Sequence, residues 1–173
     1  MAQQILLCVE ADSKSKSDWI YIKGFIHHFY CPDRNDKLLS IFMGGKSKYC
    51  SRSVTAEISS RKRIWKNGLT HVIICIDTDE MFQNPVFAAE FRKIISFCNE
   101  HQYELVWFCR DIEEVFVGKR ISNTEKKSCA HSFRTGNRVS SLKPTDFQAE
   151  QPSIGRSNLS IILNRYFEKK DSK

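Results

Sequence analysis

The 173-residue sequence lacks any long hydrophobic run. Its apolar stretches all stop well short of the ~20 residues a membrane helix needs, so a helical membrane protein is excluded. It also lacks zinc-type cysteine spacing. Cys8, Cys31, Cys50, Cys75, Cys98, Cys109 and Cys129 are scattered, with no CxxC and no Cys/His pair at finger or ribbon intervals. Their odd number and the absence of a signal peptide lead us to expect free thiols in a reducing, cytoplasmic setting. Cys8, Cys75 and Cys109 lie inside apolar runs, where a thiol acts as a small hydrophobe. The chain has no internal repeat and no heptad. It has no P-loop spacing either, which argues against hydrolysis of a nucleoside triphosphate here.

An excess of base is present: 27 Lys and Arg against 20 Asp and Glu, a formal charge of +7. That balance favours polyanionic partners, nucleic acid above all, and says nothing about fold. Short β-branched runs alternate with longer amphipathic ones, the pattern of a mainly parallel α/β sheet with helices on both faces. Strands are expected near 4–9, 38–43, 71–77 and 104–109, and helices near 16–30, 51–66 and 86–101. Trp19, Ile22, Phe25, Ile26 and Phe29 recur at helical spacing, which a core stripe explains more simply than base stacking. The size suits a single domain over 1–173, with its core in about 4–120. The stretch 122–157 is polar and reads as loop around a short helix near 124–134, mobile until a partner binds. A closing helix is expected over about 157–168, its apolar face able to serve a core or a homo-oligomer.

Carboxylates sit where the strands end. Glu10 follows Ile5–Val9, and Asp77-Thr78-Asp79 closes the run that begins at His71. Parallel strands would carry these groups to the C-terminal sheet edge, where ligands of such folds bind. Oxygen-only ligands there suit Mg²⁺ better than zinc, with Mn²⁺ as its substitute. A turn that ends a buried strand is the plainer reading of Asp77 and Asp79. Against it, carboxylates meeting at one edge repel, and a bound cation relieves that repulsion. Arg110-Asp111-Ile112-Glu113 brings a further acidic cluster to the same edge, with Asp111 best explained as a helix cap. Glu113 and Glu80 are candidates for a second metal. Gly44-Gly45-Lys46-Ser47-Lys48 reads either as a plain strand-to-helix turn or as backbone N–H groups and a lysine presented to phosphate. Arg61, Lys62 and Arg63 make either a solvated helix face or a nucleic-acid contact.

Taken in order, these residues resemble the Toprim domain. Val9-Glu10-Ala11 with Ser17-Asp18 and Tyr21, then Ile76-Asp77-Thr78-Asp79-Glu80, then Phe108-Cys109-Arg110-Asp111-Ile112-Glu113 look closest to the OLD-type nuclease and RloB-like branch. The likeness covers about residues 4–120. Ala11 stands where that branch usually has Gly, which leaves the loop after Glu10 less free to approach a phosphate. The resemblance implies a Mg²⁺-dependent nuclease of DNA or RNA acting with an ABC-type ATPase in antiphage defence. Glu10, Asp77 and Asp79 would be its catalytic and metal residues. The other expectation is a catalytically silent Toprim-like module that binds nucleic acid or regulates a partner.

Overall fold

A computed structural model describes residues 2–170. Four parallel strands make the sheet: β1 (Ala2–Val9), β3 (Lys37–Phe42), β4 (Gly68–Asp77) and β5 (Glu104–Phe108), in the order β3-β1-β4-β5. The fold is α/β and Rossmann-like. Helices α1 (Ser17–Phe29), α2 (Arg52–Ile64) and α3 (Pro85–His101) fall within about two residues of the pattern read from sequence. The caps explain those limits. Ser51 accepts from the Val54 N–H, and Asn84 accepts from the Val86 N–H ahead of a proline in the first turn.

Alternation along the strands sorts the core into two layers. Ile5, Leu7, Val9, Ile73 and Cys75 face α1 together with Tyr21, Ile22, Phe25 and Ile26. Leu6, Cys8, Val72, Ile74 and Ile76 face Val54 and Ile58 of α2 and Ile94 and Cys98 of α3. The chain runs from β1 out to β3, then crosses back to β4 on the other side. The winding direction therefore reverses between β1 and β4, and their C-terminal ends open the crevice where such folds take ligands.

The second half departs from expectation. Helix α4 (Ile112–Val117) follows β5, and the expected short helix is α5 (Lys126–Thr135). The polar stretch after α5 is irregular but pinned, because Val139 and Phe147 are buried in the α1-side core, Phe147 against Phe25 and Phe116. Single apolar anchors without periodicity leave no pattern to read. The closing helix is only α6 (Leu159–Leu163), and its apolar face is used up in the core. The chain then turns, and a short strand β6 (Glu168–Lys169) pairs antiparallel with β2 (Tyr30–Cys31). Just before α6, Asn158 covers the open edge of β5. Its side chain accepts from the Trp107 N–H at 2.9 Å and donates to the Leu105 carbonyl at 2.9 Å. An amide side chain thus stands in for a fifth strand. No helix among the described residues is long and apolar enough to cross a membrane.

Candidate active site at the sheet's C-terminal edge

Glu10 and Asp77 end the two central strands. The Asp77 N–H donates to Glu10 Oε1 at 2.6 Å, and Asp77 Oδ1 accepts from the Ile112 N–H at 2.9 Å. These bonds hold one oxygen of each carboxylate. Among the described residues, no hydrogen bond reaches Glu10 Oε2 or Asp77 Oδ2. Both side chains line a cleft of about 580 Å³ with Asp18, Gly44, Lys126 and Lys127. Asp18 accepts from the Ala11 N–H at 2.8 Å, so it holds the loop that follows Glu10.

Negative charge is in surplus around this cleft. Burial pushes Glu10 up to about 8, with Asp18 and Asp79 adding to the shift against the Asp77 N–H bond and Lys46. Burial also raises Asp77 well above the usual carboxylate range, reinforced by Glu10, Asp18 and Glu113 and opposed by Lys126. Glu113 is fully buried, and its Oε1 has no hydrogen-bond partner. Its one counter-charge is Lys126 Nζ, 3.0 Å from Oε2. Asp18, Asp77 and Glu113 share that one ammonium, and the buried Glu113 Oε1 without a partner marks the shortfall.

The Asp79 carboxylate acts on this cluster only through its charge on Glu10 and turns away from the cleft. Its φ of 50° breaks strand geometry, so residues 77 and 79 no longer share a face. Asp79 N–H donates to the Arg110 carbonyl at 2.9 Å, and Thr78 N–H to that of Phe108 at 3.0 Å. The Asp79 carboxylate turns to the α3 side and pairs with Lys46. Lys46 also reaches Glu90 at 3.4 Å and the Asp77 carbonyl at 3.3 Å. Burial would lower Lys46, but the bond and charge of Asp79, with Glu10 and Glu90, hold the ammonium above its ordinary value.

The other sequence candidates lie apart. Glu80 pairs with Arg120 and sits 3.6 Å from Arg110. Ser47 and Lys48 are exposed on the one-turn helix after the Gly-Gly turn, while Lys46 is buried within it. The Gly45 N–H there donates to the Glu10 carbonyl at 2.9 Å, bracing the site from the β3 side. Arg61, Lys62 and Arg63 close α2 at the opposite end of the sheet, where the Arg61 carbonyl accepts from Gln4 early in β1. Asp111 caps α4, accepting from the Glu114 N–H at 2.7 Å. Sequence reading missed Lys126 and Lys127, which a polar stretch hid. Asp18 was quoted only as part of a motif; its spacing from Glu10 was the available signal.

Among the described residues no three Asp, Glu, His or Cys side chains are gathered as an ion cage. Magnesium does not need one, since it keeps several waters and is held through one or two carboxylates plus substrate phosphate. The two free oxygens of Glu10 and Asp77, in a cleft short of positive charge, fit that donor set. No protein-family model matches the chain, and neither a curated protein nor a solved structure matches it.

Proposed function

We infer that the chain is a Mg²⁺-dependent phosphodiesterase of nucleic acid, a nuclease, with Glu10 and Asp77 at its centre. One observation carries the reading: two half-buried, undercompensated carboxylates end adjacent strands at the point where the sheet's winding reverses, and both open into a cleft that Lys126 and Lys127 also line. Glu10 and Asp77 would hold the cation. When bound, it would neutralise charge on the scissile phosphate as water displaces the leaving oxygen.

The chain's own residues supply the rest. Glu10, raised to about 8 in the metal-free site, keeps a proton near neutral pH that a bound cation would displace. Asp18 fixes the loop that carries Glu10. Lys126 and Lys127 face the incoming phosphate from the cleft wall.

The test is cleavage of labelled single-stranded DNA, plasmid and tRNA with Mg²⁺, Mn²⁺ or EDTA. Metal-dependent cleavage that disappears in Asp77→Asn is expected. Cleavage that persists in the variant would sink the assignment.

The alternative reading, a silent binding or regulatory module, has one specific observation in its favour. Lys46 occupies Asp79, so the chain carries its own cation on one arm of the motif. Metal-dependent binding without turnover would select this alternative.

A further inference from the structure

A second groove of about 480 Å³ adjoins the cleft, with Ser15 lining both. It runs between α1 and α5 and is lined by Lys16, Trp19, Lys23, His27 and Arg134, with no acidic residue among its lining. Positions 16, 19, 23 and 27 recur every three or four residues, so they form one stripe along α1. Trp19, read from sequence as core, is half-buried: it packs against the core edge and also lines this groove. Lys23 Nζ lies 5.9 Å from its ring centroid. Helix α5 joins the two spaces. It gives Lys126 and Lys127 to the cleft and Arg134 to the groove, and eight residues of helix span ~12 Å.

Gly24 in mid-helix adds an independent sign. A glycine there costs about 1 kcal/mol against alanine. Packing does not demand it, since an added Cβ would meet only Phe133 at an ordinary 3.7 Å. Gly24 lines the groove beside Trp19 and Lys23.

We propose that this groove is the binding track for single-stranded nucleic acid, with Lys16, Lys23 and Arg134 on the phosphates and Trp19 stacking an unpaired base. A positive groove interleaved with an aromatic face is how strands are held without sequence readout, and a paired base offers no free face to stack. The track rests on the nuclease reading only for its direction, which delivers the strand to Glu10 and Asp77.

Binding is measured in EDTA, where cleavage plays no part. The full chain is titrated into fluorescein-labelled 12-nucleotide DNA, RNA and a hairpin duplex, following anisotropy and tryptophan emission. Trp65 and Trp107 are buried, so quenching on binding reports Trp19. Single strands are expected to bind more tightly than the duplex and to quench emission. Lys16→Glu/Lys23→Glu/Arg134→Glu, confirmed folded by circular dichroism, should weaken binding by at least about tenfold and flatten the salt slope by about 2. Gly24→Gln, which fills the groove without touching charge, should weaken it as well.

A preference for DNA, for RNA or for neither names the strand's chemistry, and each supports the track. Unchanged affinity in the folded triple variant, or duplex binding as tight as single-strand binding, overturns it. Binding that behaves as expected while Asp77→Asn still cleaves would sink the nuclease reading and leave the track standing.

Discussion

The two flanks of one sheet edge handle acidic residues in opposite ways. On the α1 side, Asp77, Asp18 and Glu113 crowd around Lys126 with Glu10 next to Asp77, and burial raises all four carboxylates. On the α3 side, Asp79 and Glu90 share Lys46. Asp77 and Asp79 are two residues apart in one motif, and the backbone turn at Asp79 sends them to different flanks. A flank already neutralised by its own lysine gains little from a metal. The undercompensated flank gains a great deal, which is why function is assigned there.

The sharpest way to break this contrast is to remove one charge at a time. Asp77→Asn should lower metal-dependent cleavage by about a thousandfold, the scale of losing a group that acts on the reacting phosphate. Asp79→Asn should lose far less. Side-by-side rates on one labelled oligonucleotide decide it, and equal losses would mean that Lys46 releases Asp79 when substrate binds.

Protons offer the next test, through stability. An unfolded Glu titrates near its ordinary 4.5, whereas folded Glu10 keeps its proton to about 8. Asp77 is shifted the same way. Across that window the folded chain holds more protons than the unfolded one, so stability falls as pH rises from about 5 to 8 and levels off above. Thermal melts of the metal-free protein should show this decline. Mg²⁺ should raise the melting temperature at pH 8 and do little at pH 5, where protons already occupy the site. A gain of the same size at both pH values would place the ion elsewhere.

The sequence made the sheet and its acidic edge legible because both rest on local signals: β-branched runs, helical spacing and charge at strand ends. The sheet's strands and the three long helices lie close to their expected positions for that reason. What could not be read was non-local. Nothing in Asn158 announces that its amide will close an edge strand some fifty residues earlier. Nothing in Val139 or Phe147 announces a buried anchor, since neither belongs to a periodic run. The placing of the basic residues was the least legible. Arg61–Arg63 form a dense cluster but end up at the far end of the sheet, whereas the lysines and arginine beside the cleft are scattered over residues 16–134 and meet only when α5 packs on α1. The resemblance put Asp77 and Asp79 together as metal residues, and the positive φ at Asp79 parts their carboxylates.

Lys46 gives the smallest effect and the cleanest view of the compensated flank. Its ammonium is almost fully buried against Asp79 and Glu90, while Asp79 stays 45% exposed. Removing one partner from a fully buried pair costs about 3–5 kcal/mol, and the water around Asp79 discounts that to roughly 1–2 kcal/mol for Lys46→Met. Chemical denaturation at pH 7 measures it. Asp77→Asn should move the metal-free protein in the opposite direction, because at pH 7 the folded chain must hold a proton on a carboxyl that the unfolded chain leaves ionised, and asparagine carries no such cost. A stabilising Lys46→Met, or a destabilising Asp77→Asn, would erase the distinction between the flanks. Opposite signs would show that the motif has divided its two aspartates between structure and chemistry.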